Sequence, residues 1–320
     1  MKKKILFLSA YNSTFVKNDF EILQKHFIVK NLDFSNKSKF LYFLLILKEI
    51  LWADLVYCWF ADFAAYLSTK IVRFFNKEII VVVGGYEVSN LPGYGGLTNK
   101  NRTSRLKYTL YNATKVITVS DFSKAEIETL NLDINLQNIN IGVEFQDNLT
   151  PKTNTILTVG SATKSHYKLK GLDTFAKVSL DFPDYEFIII GEYDEEIKEE
   201  FIKLNPRIKL TGKLEHSRLM DLMREAKVYC QLSQRESFGL SVLESMNLGC
   251  IPVVTKVGAL PELVENIEYH CEYGDVDSTK IAIQKAIKTE QKEELIKRVK
   301  ENYTLRQREE KLIELVRQVL

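Results

Sequence analysis

The stretch KVYCQLSQRESFGLSVLESMNLGCIPVV, from Lys227 to Val254, holds two apolar runs with a helical segment between them. KVYCQL and CIPVV are short and continuous, as buried strands are. The helix starts near Phe238-Gly239-Leu240 and stops where Gly249 follows Leu248, a position that favours a left-handed residue. Strand, helix and strand in this order make a parallel crossover unit. Glu236 precedes the helix at the carboxyl end of the first strand, and Glu244 lies about two turns inside it. The unbonded N–H groups of the helix start, with Gly239 allowing close approach, suit an anion or a hydroxyl. Carboxylates accept hydrogen bonds, so two of them beside such a site fit the hydroxyls of a sugar or a ribose. The same residues allow another reading, in which Glu236 caps the helix and Glu244 is solvated.

The rhythm extends outward from this unit. In the first half, the strands KILFLSA, FIVKNLD, DLVYCWF, EIIVVVGG and KVITVS alternate with the helical segments NDFEILQKH, KFLYFLLILKEILW, FAAYLSTKIVRFF, RTSRLKYTLYNA and DFSKAEIETL. The last of these helices is expected to be capped by Ser120 or Asp121. In the second half the strands are TILTVG, YEFIIIG, RIKLTG, KVYCQL, CIPVV and YHCEY. Apolar strands separated by helices predict parallel sheets covered on both faces. The expected fold class is α/β, with two Rossmann-like doubly wound domains. The irregular stretch EFQDNLTPKTN divides them, giving domains over 1–148 and 149–304. The tail QKEELIKRVKENYTLRQREEKLIELVRQVL reads as helical to its end, and 305–320 is expected as a C-terminal helix that can pack back on the first domain. In such folds ligands bind at the carboxyl ends of the strands, and a cleft between two such domains is the expected site.

The chain has 320 residues, enough for two domains with a core each. It is 45% hydrophobic and 27% charged, as soluble globular proteins are, and its net charge of +2 gives no pull toward nucleic acid. Residues 1–50 are locally basic, with nine Lys or Arg against four Asp or Glu. Cys58, Cys230, Cys250 and Cys271 are dispersed without a C-x-x-C pair, which argues against a disulfide framework and for a reducing, cytoplasmic setting. With four scattered histidines as the other candidates, no metal site is expected. MKKKILFLSAYNS is basic and then apolar. Its run Ile5–Ala10 is too short for the apolar core of a signal peptide and reads as the first strand. FLYFLLIL, Phe40–Leu47, is too short to span a bilayer.

A dinucleotide fingerprint is missing. The turn SAYNSTF has no glycine, and neither VGGYEV nor IIGEYDEE completes G-x-G-x-x-G. In VGSATKSHYKLKGLDTFAKV, Lys170-Gly171 opens the helix that begins LDTF. A lysine there, at a strand's carboxyl end, is placed for a diphosphate, although a Lys-Gly pair in an ordinary loop looks the same. DVD, Asp275–Asp277, has the form of a metal-binding D-x-D, but its late position after EYG suits a helix-capping turn.

On these segments the sequence resembles the retaining nucleotide-sugar glycosyltransferases of family 4, which have the GT-B architecture of two Rossmann-like domains facing a cleft. The resemblance rests on TVGSATKSHYKLKGLDTFAKV, on IKLTGKLEHSRLMDLMREAKVYCQLSQRESFGLSVLESMNLGCIPVVTKVGALPEL, and on the E-x7-E pattern of Glu236 and Glu244. It covers roughly Thr155 to Glu265, while the first half fits by its rhythm and by VGGYEV. The resemblance implies a hexosyltransferase that needs no metal or cofactor beyond a nucleotide-sugar donor such as a UDP- or GDP-sugar. Glu236 and Lys170 would be its catalytic residues, Glu236 against the transferred sugar and Lys170 on the diphosphate. Gly171 and the backbone of Phe238, Gly239 and Leu240 would help to hold the donor, and Glu244 would accept from the ribose hydroxyls. Lys213 and Leu214, in the TGKL loop, would contact the base. Three departures stand out: Ser161 follows the glycine of VG where the family has an arginine, with Lys164 the nearby substitute; YNSTF replaces a Gly-Gly loop; and GALPE replaces two glycines before Pro-Glu.

The acceptor implied is a glycan or a lipid-linked molecule, with no nucleic acid. The loop GGYEVSNLPGYGGLTNKN is expected to be mobile, with Glu87 and Tyr94 as acceptor-side contacts, although Glu87 suits a capping role as well. NKSKFLYFLLILKEILW, Asn36 to Trp52, is apolar nearly all round and normally would be buried. Its flanking Lys37 and Lys39, with Tyr42 and Trp52, also suit peripheral contact with an anionic membrane surface. Other readings of the carboxylate pair are a glycoside hydrolase, which needs the two groups roughly 5–10 Å apart across a sugar, a sugar-nucleotide epimerase, and a binding module that kept the fold.

Overall fold

The structure is a computed structural model that describes residues 2–9, 13–32, 39–146, 150–289 and 292–320, with the side chains of 39–42 left aside. The chain forms two compact units, Met1–Gly142 with Leu305–Leu320, and Val143–Thr304.

The first unit runs β1 (Lys4–Ser9), α1 (Thr14–His26), β2 (Ile28–Leu32), α2 (Lys39–Trp52), β3 (Leu55–Trp59), α3 (Phe63–Phe74), β4 (Glu78–Val83), α4 (Lys100–Asn112), β5 (Lys115–Thr118), α5 (Asp121–Glu128) and β6 (Leu136–Asn138). The second runs β7 (Thr153–Val159), α6 (Leu172–Val178), β8 (Glu186–Ile190), α7 (Glu195–Leu204), β9 (Lys209–Leu210), α8 (His216–Glu225), β10 (Ala226–Gln231), α9 (Leu240–Asn247), β11 (Ile251–Thr255), α10 (Leu260–Leu263), β12 (His270–Cys271), α11 (Val276–Lys288) and α12 (Lys292–Asn302). The last helix, α13 (Leu305–Val319), belongs to the first unit.

Each unit is a six-stranded sheet whose strands pair in parallel, ordered β2-β1-β3-β4-β5-β6 and β12-β11-β10-β7-β8-β9. The doubly wound α/β class expected from the sequence is therefore present twice. The strand order reverses between β1 and β3 in the first sheet and between β7 and β10 in the second. Such switch points, at the carboxyl ends of the strands, are where open parallel sheets take ligands.

Alternation along the strands divides the first core. Leu6, Leu8, Val56, Cys58, Val81 and Val83 pack with Ile46 and Ile50 of α2, Val72 of α3 and Leu106 and Leu110 of α4. Residues between them in sequence face the other way, where Phe7 stacks on Tyr57 with ring centroids 5.5 Å apart.

On that second face sits a buried charge pair. Asp19 of α1 and Arg308 of α13 have side chains 0% and 1% exposed. Arg308 Nε and Nη2 donate to Asp19 Oδ1 and Oδ2 at 2.5 and 2.7 Å. Tyr57 Oη and Trp59 Nε1 donate to the same carboxylate at 2.7 and 2.8 Å. The remaining guanidinium nitrogen, Nη1, reaches Ile139 O and Asn140 O. A buried ion pair stands only when its other polar atoms are satisfied, and here they are. The pair ties the last helix to β3 and to the chain beyond β6.

Several expectations need correction. The tail is not one helix: it breaks at Tyr303 and Thr304, because Tyr303 is buried and its carbonyl accepts from Val143 N at 2.8 Å. RIKLTG and YHCEY give strands of only two residues, β9 and β12. The units divide at Gly142, ahead of residue 148. Asn247 draws residues 144–146 onto the second unit, donating to Glu144 O and accepting from Gln146 N. Helix α2 is neither wholly buried nor free: Ile46 and Ile50 are buried, while Phe43, Leu44 and Leu51 are exposed. Lys37 lies outside the described residues, as do the side chains of Lys39 and Tyr42. Among the described residues, no helix is long and apolar enough to cross a membrane.

Both tryptophans, Trp52 and Trp59, lie in the first unit, so their fluorescence reports its unfolding alone. Arg308→Met leaves Asp19 buried without its counter-charge and is expected to cost the first unit about 3–5 kcal/mol in urea unfolding. A loss below about 1 kcal/mol, the worth of a surface pair, would contradict the structural role of this contact.

Candidate functional site

The switch point of the second sheet brings together residues from two connections. After β7 the chain passes through Lys164 to Lys170 and enters α6, with Gly171 as its N-cap. After β10 it passes through Ser233 and Glu236 and enters α9, with Gly239 as its N-cap. The two connections touch through backbone: Gln234 N donates to Leu169 O at 2.8 Å. Gly171 has φ of 66°, and a Cβ there would stand 2.0 Å from Leu232 O. Only glycine fits both the left-handed backbone and this approach. The result fixes Lys170 beside the end of β10.

Lys170 Nζ lies 3.0 Å from Glu236 Oε2, with side chains 30% and 20% exposed. The pair is thus reachable by a ligand yet partly withdrawn from water. Two further groups stand by Glu236 Oε2 at longer range, Gln231 Nε2 at 3.4 Å and Ser233 Oγ at 3.5 Å. Gln231 is itself held by Tyr229 Oη at 2.6 Å and donates to Ser233 Oγ at 2.7 Å. The Glu236 carbonyl accepts from Ala259 N at 2.9 Å, which anchors the loop beneath its side chain. Glu236 therefore does not act as the cap of α9, for which no side-chain cap is found.

Glu244 is buried on α9, so it is not the solvated residue that the alternative reading required. Its Oε1 is 3.7 Å from Nε2 of His216, the first residue of α8. Burial pushes its carboxyl up to about 7 from an ordinary value of 4.5. A buried carboxyl of this kind gains by accepting hydroxyl hydrogen bonds when a ligand covers it.

The other residues singled out in the sequence are more dispersed. Phe238 is buried and packs edge-on against Tyr303, so its ring belongs to the core. Leu240 opens α9 and is half-buried. Lys164 pairs with Glu196 of α7 at 2.5 Å, and both side chains are well exposed. Lys213 is exposed and Leu214 half-buried, in the turn between β9 and α8 that a bridge from Gly191 to Gly212 holds. In the first unit, Glu87 accepts from Ala61, Gly84 and Gly85 backbone N–H groups and so ties the loop after β4 to that after β3. Tyr94 closes a turn with Leu91 and meets the ring of Tyr86 edge-on at 5.1 Å. Asp275 is the N-cap of α11, accepting from Asp277 N and Ser278 N. Among the described residues, no cluster of three or more His, Cys, Asp or Glu could hold a metal ion.

Gln231, Ser233 and His216 were not singled out from the sequence. A signal was there for two of them: Tyr229, Gln231 and Ser233 recur at every second position along β10 and just beyond it, a polar face on a strand that otherwise reads as apolar.

The raised carboxyl of Glu244 makes a stability prediction. The folded state prefers the protonated form, so the stabilisation is complete below about pH 4.5 and is lost as pH rises through about 7. Glu244→Gln removes this slope. The variant should match the wild type near pH 4.5 and exceed it above pH 7 by up to about 3 kcal/mol, read as the difference in calorimetric melting across that range. Parallel pH profiles would contradict the burial argument.

Comparison with known proteins places this site in a family. The model for "Glycosyl transferases group 1" matches residues 142–305. One human component of phosphatidylinositol N-acetylglucosaminyltransferase is 27% identical over 213 residues, 62% of this chain and 43% of that protein. The N-acetyl-alpha-D-glucosaminyl L-malate synthase of Bacillus anthracis is 29% identical over 110 residues, 32% of this chain and 28% of that one. The chain thus spans less than half the length of these curated relatives. Among solved structures, Anabaena Alr3699/HepE in complex with UDP superposes with a TM-score of 0.80 at 16% identity, over 98% of this chain and 100% of that one. This last likeness is one of fold. The family match, in contrast, takes in the whole unit that carries Lys170, Glu236 and Glu244, and by it this chain belongs to the glycosyl transferases group 1.

Proposed function

We propose that this protein is a retaining glycosyltransferase that moves a sugar from a nucleotide-sugar donor to a glycan or lipid-linked acceptor. The observation that carries the reading is the Lys170–Glu236 contact across the switch point of the second sheet, with Glu244 on the helix that follows. In the transfer, the bond between the anomeric carbon and the diphosphate breaks and a bond to an acceptor hydroxyl oxygen forms. The hydroxyl proton leaves with the diphosphate. Charge therefore builds on the leaving phosphate oxygens, and a positioned cation stabilises it most where water is partly excluded. Lys170 is the residue proposed for that role, assisted by the N–H groups at the start of α9. Glu236, the catalytic partner, would face the transferred sugar, and Glu244 would accept from the ribose. Gly171 and the backbone from Phe238 to Leu240 would shape the donor site, with Lys213 and Leu214 toward the base and Lys164 as a peripheral cation.

The names of the relatives support the choice of a first donor. N-Acetylglucosamine is common to the human and bacterial enzymes named above, and UDP is the nucleotide in the Anabaena complex. UDP-N-acetylglucosamine is accordingly the donor proposed for testing. The acceptors in those names, phosphatidylinositol and malate, are both anionic. Peripheral action at the cytoplasmic face of a membrane is part of the proposal, through the exposed Phe43, Leu44 and Leu51 of α2.

Incubation with the labelled donor and candidate acceptors should give UDP and an acceptor-linked sugar. Free labelled sugar alone would mark a hydrolase, and an altered but still nucleotide-linked sugar an epimerase. Lys170→Ala should weaken UDP binding by roughly 10- to 150-fold, the worth of a charge-assisted hydrogen bond. Glu236→Gln should reduce turnover with UDP affinity little changed. Glu244→Ala should weaken UDP more than its 2′,3′-dideoxy analogue. Equal weakening of both nucleotides by Glu244→Ala would remove its ribose role. For the membrane, sedimentation with anionic vesicles at low salt should be lost in Leu44→Glu/Leu51→Glu; a wild type that stays in the supernatant would refute peripheral docking.

A further inference from the structure

The first unit contains a cavity of about 410 Å³, lined in part by Phe60, Phe63, Tyr86, Arg102 and Arg105. It opens at the carboxyl ends of β3 and β4, because Phe60 directly follows β3 and Tyr86 lies just beyond β4. This is the edge where parallel sheets present ligand sites. Phe60 holds φ of 70°, a left-handed conformation that is strained for a bulky residue. Its ring lies against Gly84, where a Cβ would stand only 2.5 Å from a ring carbon. The fold thus keeps an aromatic wall at this edge in spite of the backbone strain, and strain of this kind gathers at ligand sites.

The charge in the cavity wall is unevenly committed. Asp62 Oδ1 accepts from Ala64 N and Ala65 N, and Glu87 accepts from Ala61, Gly84 and Gly85 N, so backbone dipoles already engage both carboxylates. Arg102 and Arg105 stand one turn apart on α4. Among the described residues neither meets a carboxylate. Arg102 Nη1 donates to Tyr86 Oη at 3.2 Å, and Arg105 Nε donates to Asn101 O of its own helix. The Arg105 guanidinium lies 5.6 Å from the centre of the Phe63 ring. The sequence of α4, KNRTSRLKYTLYN, has four basic residues and no acidic one to neutralise them.

We propose that this cavity binds the phosphate of the acceptor, with Arg102 and Arg105 contacting the anion and Phe63 and Tyr86 flanking the group that bears it. Guanidinium forks match phosphate oxygens in geometry and charge. Half-exposed aromatic rings beside them offer a flat apolar surface to a ring or chain next to the phosphate. The inference rests on the transferase reading in calling the ligand an acceptor; the phosphate site itself stands on the first unit alone. A soluble sugar phosphate and a lipid headgroup share the chemistry.

The test uses the full chain, as wild type and as Arg102→Gln/Arg105→Gln. Each is titrated with glycerol 3-phosphate, glycerol and UDP, and sedimented with phosphatidylcholine vesicles with and without phosphatidic acid. The wild type should bind glycerol 3-phosphate and vesicles containing phosphatidic acid, and neither glycerol nor vesicles of phosphatidylcholine alone. The double variant should bind those probes roughly tenfold or more weakly, with UDP affinity unchanged. Loss in both arms assigns the site to phosphate as such, and loss confined to vesicles assigns it to a lipid headgroup; either supports the inference. Equal binding by wild type and variant overturns it, as does a wild type that ignores both glycerol 3-phosphate and phosphatidic acid while still binding UDP. A wild type that fails on UDP instead removes the transferase reading, whatever the phosphate probes show.

Discussion

Lys170 reaches Glu236 because two loops cannot separate. One leaves β7 and the other leaves β10, neighbours in the second sheet although far apart in sequence. Gly171 lets the first loop lie against Leu232 O, and the Gln234–Leu169 hydrogen bond closes the contact. With the backbones fixed, the 3.0 Å ion pair costs only the rotamer freedom of its two side chains and no further backbone ordering. A lysine and a glutamate in mobile loops would contribute little in water. Held at the edge of a sheet and partly shielded, they form a polar centre that a diphosphate and a sugar could share. Glu244 is placed by the same design, one helix further on and deeper in the unit.

The first unit solves a different problem with similar means. Its sheet is closed on one face by α1 and by α13, the helix that returns from the far end of the chain. The Asp19–Arg308 pair with Tyr57 and Trp59 orders that face, and the side-chain polar atoms of these four residues find partners among themselves and on the Ile139 carbonyl. Beyond β3 and β4 the unit carries the strained Phe60 and the basic helix α4. Buried core and strained edge are thus adjacent along the same strands, since β3 contributes Tyr57 and Trp59 to one and leads into Phe60 at the other.

Much of this could be read from the sequence, and the reasons are local. The apolar runs that became β1, β3, β4, β7, β8, β10 and β11 are continuous because both faces of a parallel strand are buried. The bounds of α9 followed from Gly239 and Gly249; for α5 the sequence offered Ser120 or Asp121, of which Ser120 is the cap, and the capping turn read over Asp275–Asp277 is made by Asp275. What escaped was decided by tertiary contact. The tail breaks at Tyr303 because its ring is buried and its hydroxyl donates to Glu262 O. Asp19 and Arg308 are 289 positions apart, and neither carries a local mark of its partner. Glu244 could be read as solvated or as facing a ligand, since no residue near it in sequence reveals that the fold buries it. Arg102 and Arg105 were not singled out in the sequence, where RTSRLKYTLYNA read simply as a helix; the fold brings them to the cavity beyond β3 and β4.

The most direct measurement is a crystal structure of the protein with UDP bound. The expected result is a diphosphate within hydrogen-bonding distance of Lys170 Nζ, with the ribose hydroxyls on Glu244 and Glu236 left open toward the position of the sugar. UDP bound away from the switch point between β7 and β10, or bound there with its ribose turned from Glu244, would contradict the assignment of this edge as the donor site.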